Sequence, residues 1–323
     1  MRFHQKAAAA LTCTAMAVGM ALCLMPTPAD EPEKKLNIVT TIFPAYDWME
    51  QILGDEAENV SLRLLTDGTD IHSFQPSAQD IVDIAGSDLF IYVGGESDAW
   101  VRDVLKDAPA EERIDISLVD ILGDAARDEE TVPGMEEEET EDGEEAVPDE
   151  HVWLSLKNAA LFAGAIDEAL CRLDPENADV YDANTRAYTD KLDDLDRRYE
   201  EAVSKAHVKT LVFADRFPFL YLMKDYSLDY YAAFAGCSSE TEASFETVIF
   251  LANKVDEVGT NVILTIDGGD QSLAKTVKNA AGTKSVDILA MNSMQSAPAK
   301  EDTYLSVMEQ NLEILSKAMG EQQ

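Results

Sequence analysis

Several residue types are scarce in this chain, and each shortage excludes something. Four cysteines occur in 323 residues, and two of them, Cys13 and Cys23, fall within the first 25. The remaining two, Cys171 and Cys237, build no disulfide framework, although in an oxidising compartment they could pair with each other. Lysine and arginine number 25 against 63 acidic residues, a net charge of −38. That deficit of positive charge argues against nucleic acid and anionic membrane as direct partners, and it favours cations. Beyond residue 25 no run approaches 18 consecutive apolar residues, so the later chain reads as soluble. Neither H-E-x-x-H nor G-x-S-x-G occurs, which removes the usual signatures of a secreted metallohydrolase or a serine hydrolase. Histidine is as rare as cysteine: His4, His72, His151 and His207 are the whole set.

The N-terminus begins "MRFHQK" and continues with an uncharged apolar run from Ala7 to Met25, followed by "PTPADEPEKK". A basic start, an apolar middle and a polar, Pro-rich exit read as an export leader over residues 1–29. A single membrane anchor is the competing reading, because 19 residues are enough to span a bilayer. Either way residues 30–323 are expected outside the cytoplasm. Cys23 in "MALC" offers a lipid attachment point, while cleavage after "TPA" near Ala29 would release the chain from the leader.

Residues 36–118 alternate strand-like runs ("LNIVTTI", "VSLRLLT", "LFIYVG", "IDISLVD") with segments of helical spacing. Such alternation implies an α/β lobe with a parallel or mixed sheet. Residues 124–150 interrupt it with 14 acidic residues and one Arg, eight of the acids lying between Glu136 and Glu145. This stretch has no apolar period and is expected to be a disordered, solvated loop. Helical spacing resumes in "HVWLSLKNAALFAGAIDEALCRL", and the first lobe is read as 36–170. A second helix over 174–206 is expected, capped by Asp174 with Pro175 in its first turn. Its buried stripe includes Tyr181, Tyr188, Leu192, Leu195 and Tyr199. About 30 residues at 1.5 Å each give roughly 45 Å, enough to join two lobes. From 207 to 323 the β/α alternation restarts, so the expected architecture is α/β lobe, long helix, α/β lobe.

Ligands of α/β lobes gather at the carboxyl ends of strands. His72, His151, Asp215, Asp267 and Asn292 all stand at or after such ends. Two imidazoles with one or two carboxylates suit a borderline divalent cation such as zinc or manganese. Each residue also has a structural reading. A histidine after a strand is often a hydrogen-bonding group, and an aspartate there often caps a helix. Placement alone does not choose between them. His207, at a helix end where a cation suits the dipole, is given the structural role.

Four ordered segments carry a resemblance. "DIHSFQPSAQD" resembles the H-x-[FY]-x-P-x-x-x-D segment of the metal-binding subunits of zinc and manganese ABC importers, the cluster A-I substrate-binding lipoproteins. "DEHVWLSLKNA" resembles their D-P-H-x-W signature, "LVFADRFPFLYLMKDYSLDYYAAF" their third, Phe- and Tyr-rich segment, and "TYLSVMEQNLEILSKAM" their closing helix. The likeness covers the chain from Leu36 on. It implies two lobes joined by a rigid helix with metal in the cleft between them. It makes His72 and His151 the first two ligands and puts Asp215 at the third position, commonly His or Glu. For the fourth position Asp267 is preferred over Asn292 because it is charged. Family members often carry a loop rich in His and acid before the second His; here it has no His.

The function implied is an extracytoplasmic binding protein, expected to be monomeric. It captures a divalent transition metal, Zn²⁺ with Mn²⁺ as the alternative, and passes it to the membrane permease of an ABC importer without catalysing a reaction. Two rivals are a secreted metallohydrolase and an adhesin or organic-solute binder. The last would have an aromatic, uncharged cleft.

Overall fold

The computed structural model describes residues 35–109, 112–136, 147–238, 242–283, 285–299 and 302–320. The export leader and Cys23 lie outside the described residues, as do the most acidic positions, 137–146. No helix among the described residues is long and apolar enough to cross a membrane.

The first lobe is built from β1 (Leu36–Thr40), α1 (Phe43–Leu53), β2 (Val60–Leu64), α2 (Ala78–Ala85), β3 (Leu89–Tyr92), α3 (Ala99–Asp107), β4 (Ile114–Ser117) and α4 (Leu118–Leu122). Two central helices follow, α5 (Leu156–Leu173) and α6 (Ala178–Ser204). The second lobe contains β5 (Thr210–Phe217), α7 (Leu220–Asp225), β6 (Asp229–Ala235), α8 (Phe245–Val258), β7 (Val262–Ile266), α9 (Ser272–Ala280), β8 (Asp287–Met291) and α10 (Tyr304–Ala318). Both sheets are wholly parallel, in the orders β2-β1-β3-β4 and β6-β5-β7-β8. In each the strand order reverses beside the lobe's first strand, and strand-exit loops converge there. The expected α/β architecture, two lobes with a long helix between them, is what the chain adopts.

Local chemistry explains the elements. Parallel strands are covered on both faces, so they read as apolar runs; β7, "VILTI", is buried at every position. Ser77 and Asp80 form a reciprocal capping box that starts α2 directly after the His72 loop. Pro44 sits in the first turn of α1, where its missing N–H costs nothing. The 27 residues of α6 contain no glycine or proline and give about 40 Å of helix. Its buried side chains Tyr181, Tyr188, Leu192, Leu195 and Tyr199 join one core that also takes in α1, α5 and α10. Smaller cores lie under α2 and α3 in the first lobe and under α8 and α9 in the second.

Two expectations differ from the structure, and one open question is answered. The helix α6 begins at Ala178 rather than at Pro175. Asp174 ends α5 instead, and its carboxylate accepts from Asn177 Nδ2 at 2.8 Å and Tyr181 Oη at 2.7 Å. The flanks of the acidic loop are ordered. Asp128 bridges Pro148, Met135 is buried, Glu130 pairs with Lys224 at 2.6 Å, and Glu136 N–H donates to Ala233 O at 2.8 Å. Each flank thus finds partners in the second lobe that offset the ordering entropy, which its composition alone does not reveal. Cys171 and Cys237 are both free thiols; no disulfide joins them.

Candidate metal centre

His72 lies in a single 3₁₀ turn, Ile71–Ser73, started by Asp70, whose side chain accepts from His72 N–H at 3.0 Å. Ile71 N–H donates to Gln295 O at 3.2 Å, tying this first-lobe loop to the segment that leaves β8. His151 follows the acidic segment and is fully buried. Its ring lies 5.3 Å from the Trp153 ring, and Trp153 Nε1 donates to Ser293 O at 2.9 Å. The two histidines meet between the lobes with their Nε2 atoms 3.2 Å apart.

Adjacent acids orient both rings. Asp149 Oδ1 lies 3.1 Å from His151 Nδ1 and also accepts His151 N–H at 2.8 Å. Glu150 Oε1 lies 3.0 Å from His72 Nδ1, and Ser97 Oγ is 2.7 Å from the same nitrogen. Glu150 itself is buried, accepting from Ser97 N–H at 3.1 Å and from the Ser97 hydroxyl. A carboxylate on Nδ1 fixes the tautomer that leaves Nε2 free to bind a cation, and it makes that nitrogen more basic. Burial disfavours the Glu150 carboxylate. The His72 hydrogen bond, the charge of His151 and Ser97 outweigh burial and hold it down at about 2. Burial likewise opposes a charged His151, but Asp149 and Glu150 overcome it and push its pKa up.

Gly236 makes this approach possible. A Cβ there would stand 2.8 Å from His151 Cε1 and 3.0 Å from both His151 Nδ1 and Phe217 O. The next residue, Cys237, brings its Sγ into the group: Sγ and one nitrogen from each of His72 and His151 lie within 4.8 Å of one another. The carboxamide of Gln295 bridges the rings, with Nε2 2.6 Å from His72 Nε2 and 2.7 Å from His151 Nε2, while its Oε1 accepts from Ser293 Oγ at 3.0 Å.

Of the four residues expected to ligate, the structure brings His72 and His151 together. Asp215 and Asp267 stand apart from that group, on a neighbouring cleft of about 620 Å³ that they share with Asp70, Arg216 and Glu242. Asp215 does not end its strand: β5 continues to Phe217 through an irregularity between Phe213 and Arg216. Its carboxylate accepts from the N–H groups of Arg216, at 2.9 Å, and Ile266, at 3.2 Å. Burial pushes the Asp215 pKa up. Asp267 Oδ1 accepts from Ser293 N–H at 2.9 Å. Asn292 Oδ1 accepts Met294 N–H at 2.8 Å, a local turn contact. Arg216 reaches Asp70 across the cleft at 3.5 Å. His207 is outside the centre; its N–H donates to Met319 O at 3.1 Å. Sequence reasoning missed Cys237 and Gln295, which converge on the histidines only through the packing of strand-exit loops.

Residues 38–318 match the family described as ZnuA, zinc-uptake complex component A, periplasmic. The chain is 32% identical over 298 residues to the zinc-binding lipoprotein AdcA of Streptococcus pneumoniae, covering 90% of this chain and 57% of that relative. It therefore spans little more than half the length of that protein. It is 28% identical over 300 residues to the high-affinity zinc uptake system protein ZnuA of Bacillus subtilis, covering 90% of each. The Zn(II)-bound ZnuA-like domain of Streptococcus pneumoniae AdcA superimposes with a TM-score of 0.69 at 30% identity, over 88% of this chain and 99% of that one.

Proposed function

This chain belongs to the zinc-uptake complex component A family, and from that premise we propose that it captures Zn²⁺ outside the cytoplasm and hands it to the membrane permease of an ABC importer. The observation that carries the reading is the histidine pair. Two ligands about 2.0–2.1 Å from a tetrahedral zinc stand about 3.3 Å apart; His72 and His151 present their Nε2 atoms at 3.2 Å. Each ring is already held from behind by a carboxylate, so little ordering is needed when the ion arrives.

In this proposal His72 and His151 hold the ion. Asp215 and Asp267, on the adjoining cleft, receive it first and offer oxygen donors along the way. The zinc-binding and zinc-uptake names of the relatives support Zn²⁺ as cargo. A lipoprotein among them supports attachment through Cys23. Manganese is the second reading, favoured by the oxygen-rich cleft, because carboxylates suit Mn²⁺ better than imidazoles do.

The deciding experiment is the metal content of protein purified without chelator, followed by competition between Zn²⁺ and Mn²⁺. One zinc per chain that excess manganese fails to displace is the expected result. Protein that takes up neither ion stoichiometrically would overturn the proposal.

A further inference from the structure

We infer that Cys237 is the third protein ligand of the captured ion, a thiolate that joins His72 and His151 in a two-nitrogen, one-sulfur site. The inference rests on the reading that the histidine pair holds the ion.

Three observations converge on it. The Cys237 Sγ is the one further strong donor, among the described residues, that lies within 4.8 Å of a nitrogen of each histidine. It is also placed with care. Cys237 N–H donates to Glu129 Oε1 at 3.2 Å, and Sγ stands 3.3 Å from Glu150 Oε1, the same oxygen that orients His72. Gly236 lets the backbone before it approach His151 closely enough for the thiol to reach the pair. Finally, the acids that sequence reasoning put in the third and fourth positions are engaged elsewhere. Asp215 accepts two backbone N–H groups, and Asp267 accepts the Ser293 N–H and hydroxyl.

The coordination step balances simply. The S–H bond breaks, its electron pair forms the metal–sulfur bond, and the incoming ion displaces the proton to solvent water. No oxidant or reductant is required. A thiolate is a soft donor that suits Zn²⁺ and disfavours Mn²⁺. Cys237 is thus also the residue that sets the choice between the two ions.

The test uses cobalt and zinc in the full chain carrying Cys171→Ser. That substitution removes the only other described thiol, which sits near Asp167 and Asp182 in a second potential metal-binding group. Loaded with one Co²⁺ under reducing conditions, the protein should show a sulfur-to-cobalt charge-transfer band in the near ultraviolet. Adding Cys237→Ser should abolish the band, weaken zinc tenfold or more and narrow the gap between zinc and manganese. X-ray absorption of the zinc form, which needs no variant at Cys237, should show one sulfur at about 2.3 Å beside nitrogens at about 2.0–2.1 Å. One equivalent of metal bound through nitrogen and oxygen alone, and lost on His72→Ala, would overturn the thiolate while leaving the histidine pair intact. Metal retained after both histidines are replaced would overturn the histidine reading and this inference with it.

Discussion

Glu150 Oε1 lies 3.0 Å from Nδ1 of His72, so a residue from the end of the acidic segment holds the ring of a histidine from the first lobe. The carboxylate is buried, and its hydrogen bonds and the neighbouring histidines hold its pKa low, so it stays ionised and keeps this grip throughout the physiological range. Glu150→Gln keeps the shape and removes the charge. Losing the acid behind a metal-binding histidine typically costs 10–100-fold in affinity. Zinc affinity by chelator competition should fall within that range, while the unfolding midpoint of the metal-free protein moves little. An unchanged zinc affinity would mean that Glu150 does not orient a ligand.

Replacing either histidine with alanine should weaken zinc at least tenfold, and the double replacement should leave no tight site. Zinc bound only by the folded state adds about 4 kcal/mol at a thousandfold excess over its dissociation constant. Melting curves recorded with zinc and with EDTA should therefore separate for the natural chain and coincide for the double variant.

Gly236→Ala should damage the centre without altering a ligand. The added methyl would need 2.8 Å of approach to His151 Cε1 and 3.0 Å to Phe217 O, distances that force the ring to move. Overpacking of this kind costs about 1–3 kcal/mol. We expect a tenfold or larger loss of zinc affinity with the fold retained, read by calorimetry together with circular dichroism. Full affinity in this variant would show that the ring tolerates displacement.

Stability should fall with rising pH because of Asp47. This residue is buried on α1, and burial pushes its pKa up to about 6, against which Tyr304, Gln51 and Tyr188 supply only partial compensation. The folded chain thus binds that proton more tightly than the unfolded one. The stabilisation is complete below about pH 4 and is lost as pH rises through about 6. A shift of this size corresponds to about 2–3 kcal/mol. Urea unfolding of metal-free protein at pH 4.5 and pH 7 should show a smaller difference for Asp47→Asn than for the natural chain. Equal differences would assign the slope elsewhere, with buried Asp98, also pushed up to about 6, as the next candidate.

Deleting residues 137–146 removes seven acidic side chains and leaves the ordered flanks in place. Their attraction for a cation is long-ranged and fades with salt, since the screening length is about 8 Å at physiological ionic strength. Stopped-flow zinc binding should slow at low salt, with dissociation nearly unchanged. A deletion extended back to Glu129 should do more, because it removes the acceptor of the Cys237 N–H and the Lys224 pairing of Glu130. If the short deletion alone abolished tight binding, one of the seven acids would be a ligand.

Much of this was legible in the chain itself. Apolar strand runs, helix periods and the Ser77–Asp80 capping box are local signals, and they predict the α/β alternation and the position of the His72 loop. The meeting of His72 and His151 could be anticipated because ordered motifs carry both. The placement of Asp215 at a strand end was not legible, because β5 runs on to Phe217 through an irregularity no local pattern announces. By sequence Cys237 offers only half of a possible disulfide, yet it follows a glycine directly at the exit of β6, a position from which a side chain can turn into a cleft. Gln295 gave no signal at all. Its place between two imidazoles depends on how the loop after β8 packs against Ile71, a contact spanning most of the chain.

Asp149, Glu150 and His151 are consecutive, and this contiguity governs how an ion leaves. If His151 holds the ion as proposed, Asp149 steadies that donor, while Glu150 steadies His72 and faces the Cys237 thiol. On that reading, any displacement of this one tripeptide would withdraw a ligand, release the opposite imidazole and strip the sulfur of its neighbour in a single motion. Half-dismantled arrangements would therefore be short-lived. Exchange is expected to be all-or-none, slow while the tripeptide is seated and abrupt once it lifts. A transport partner that pulled on these three residues would empty the centre without having to pry the lobes apart.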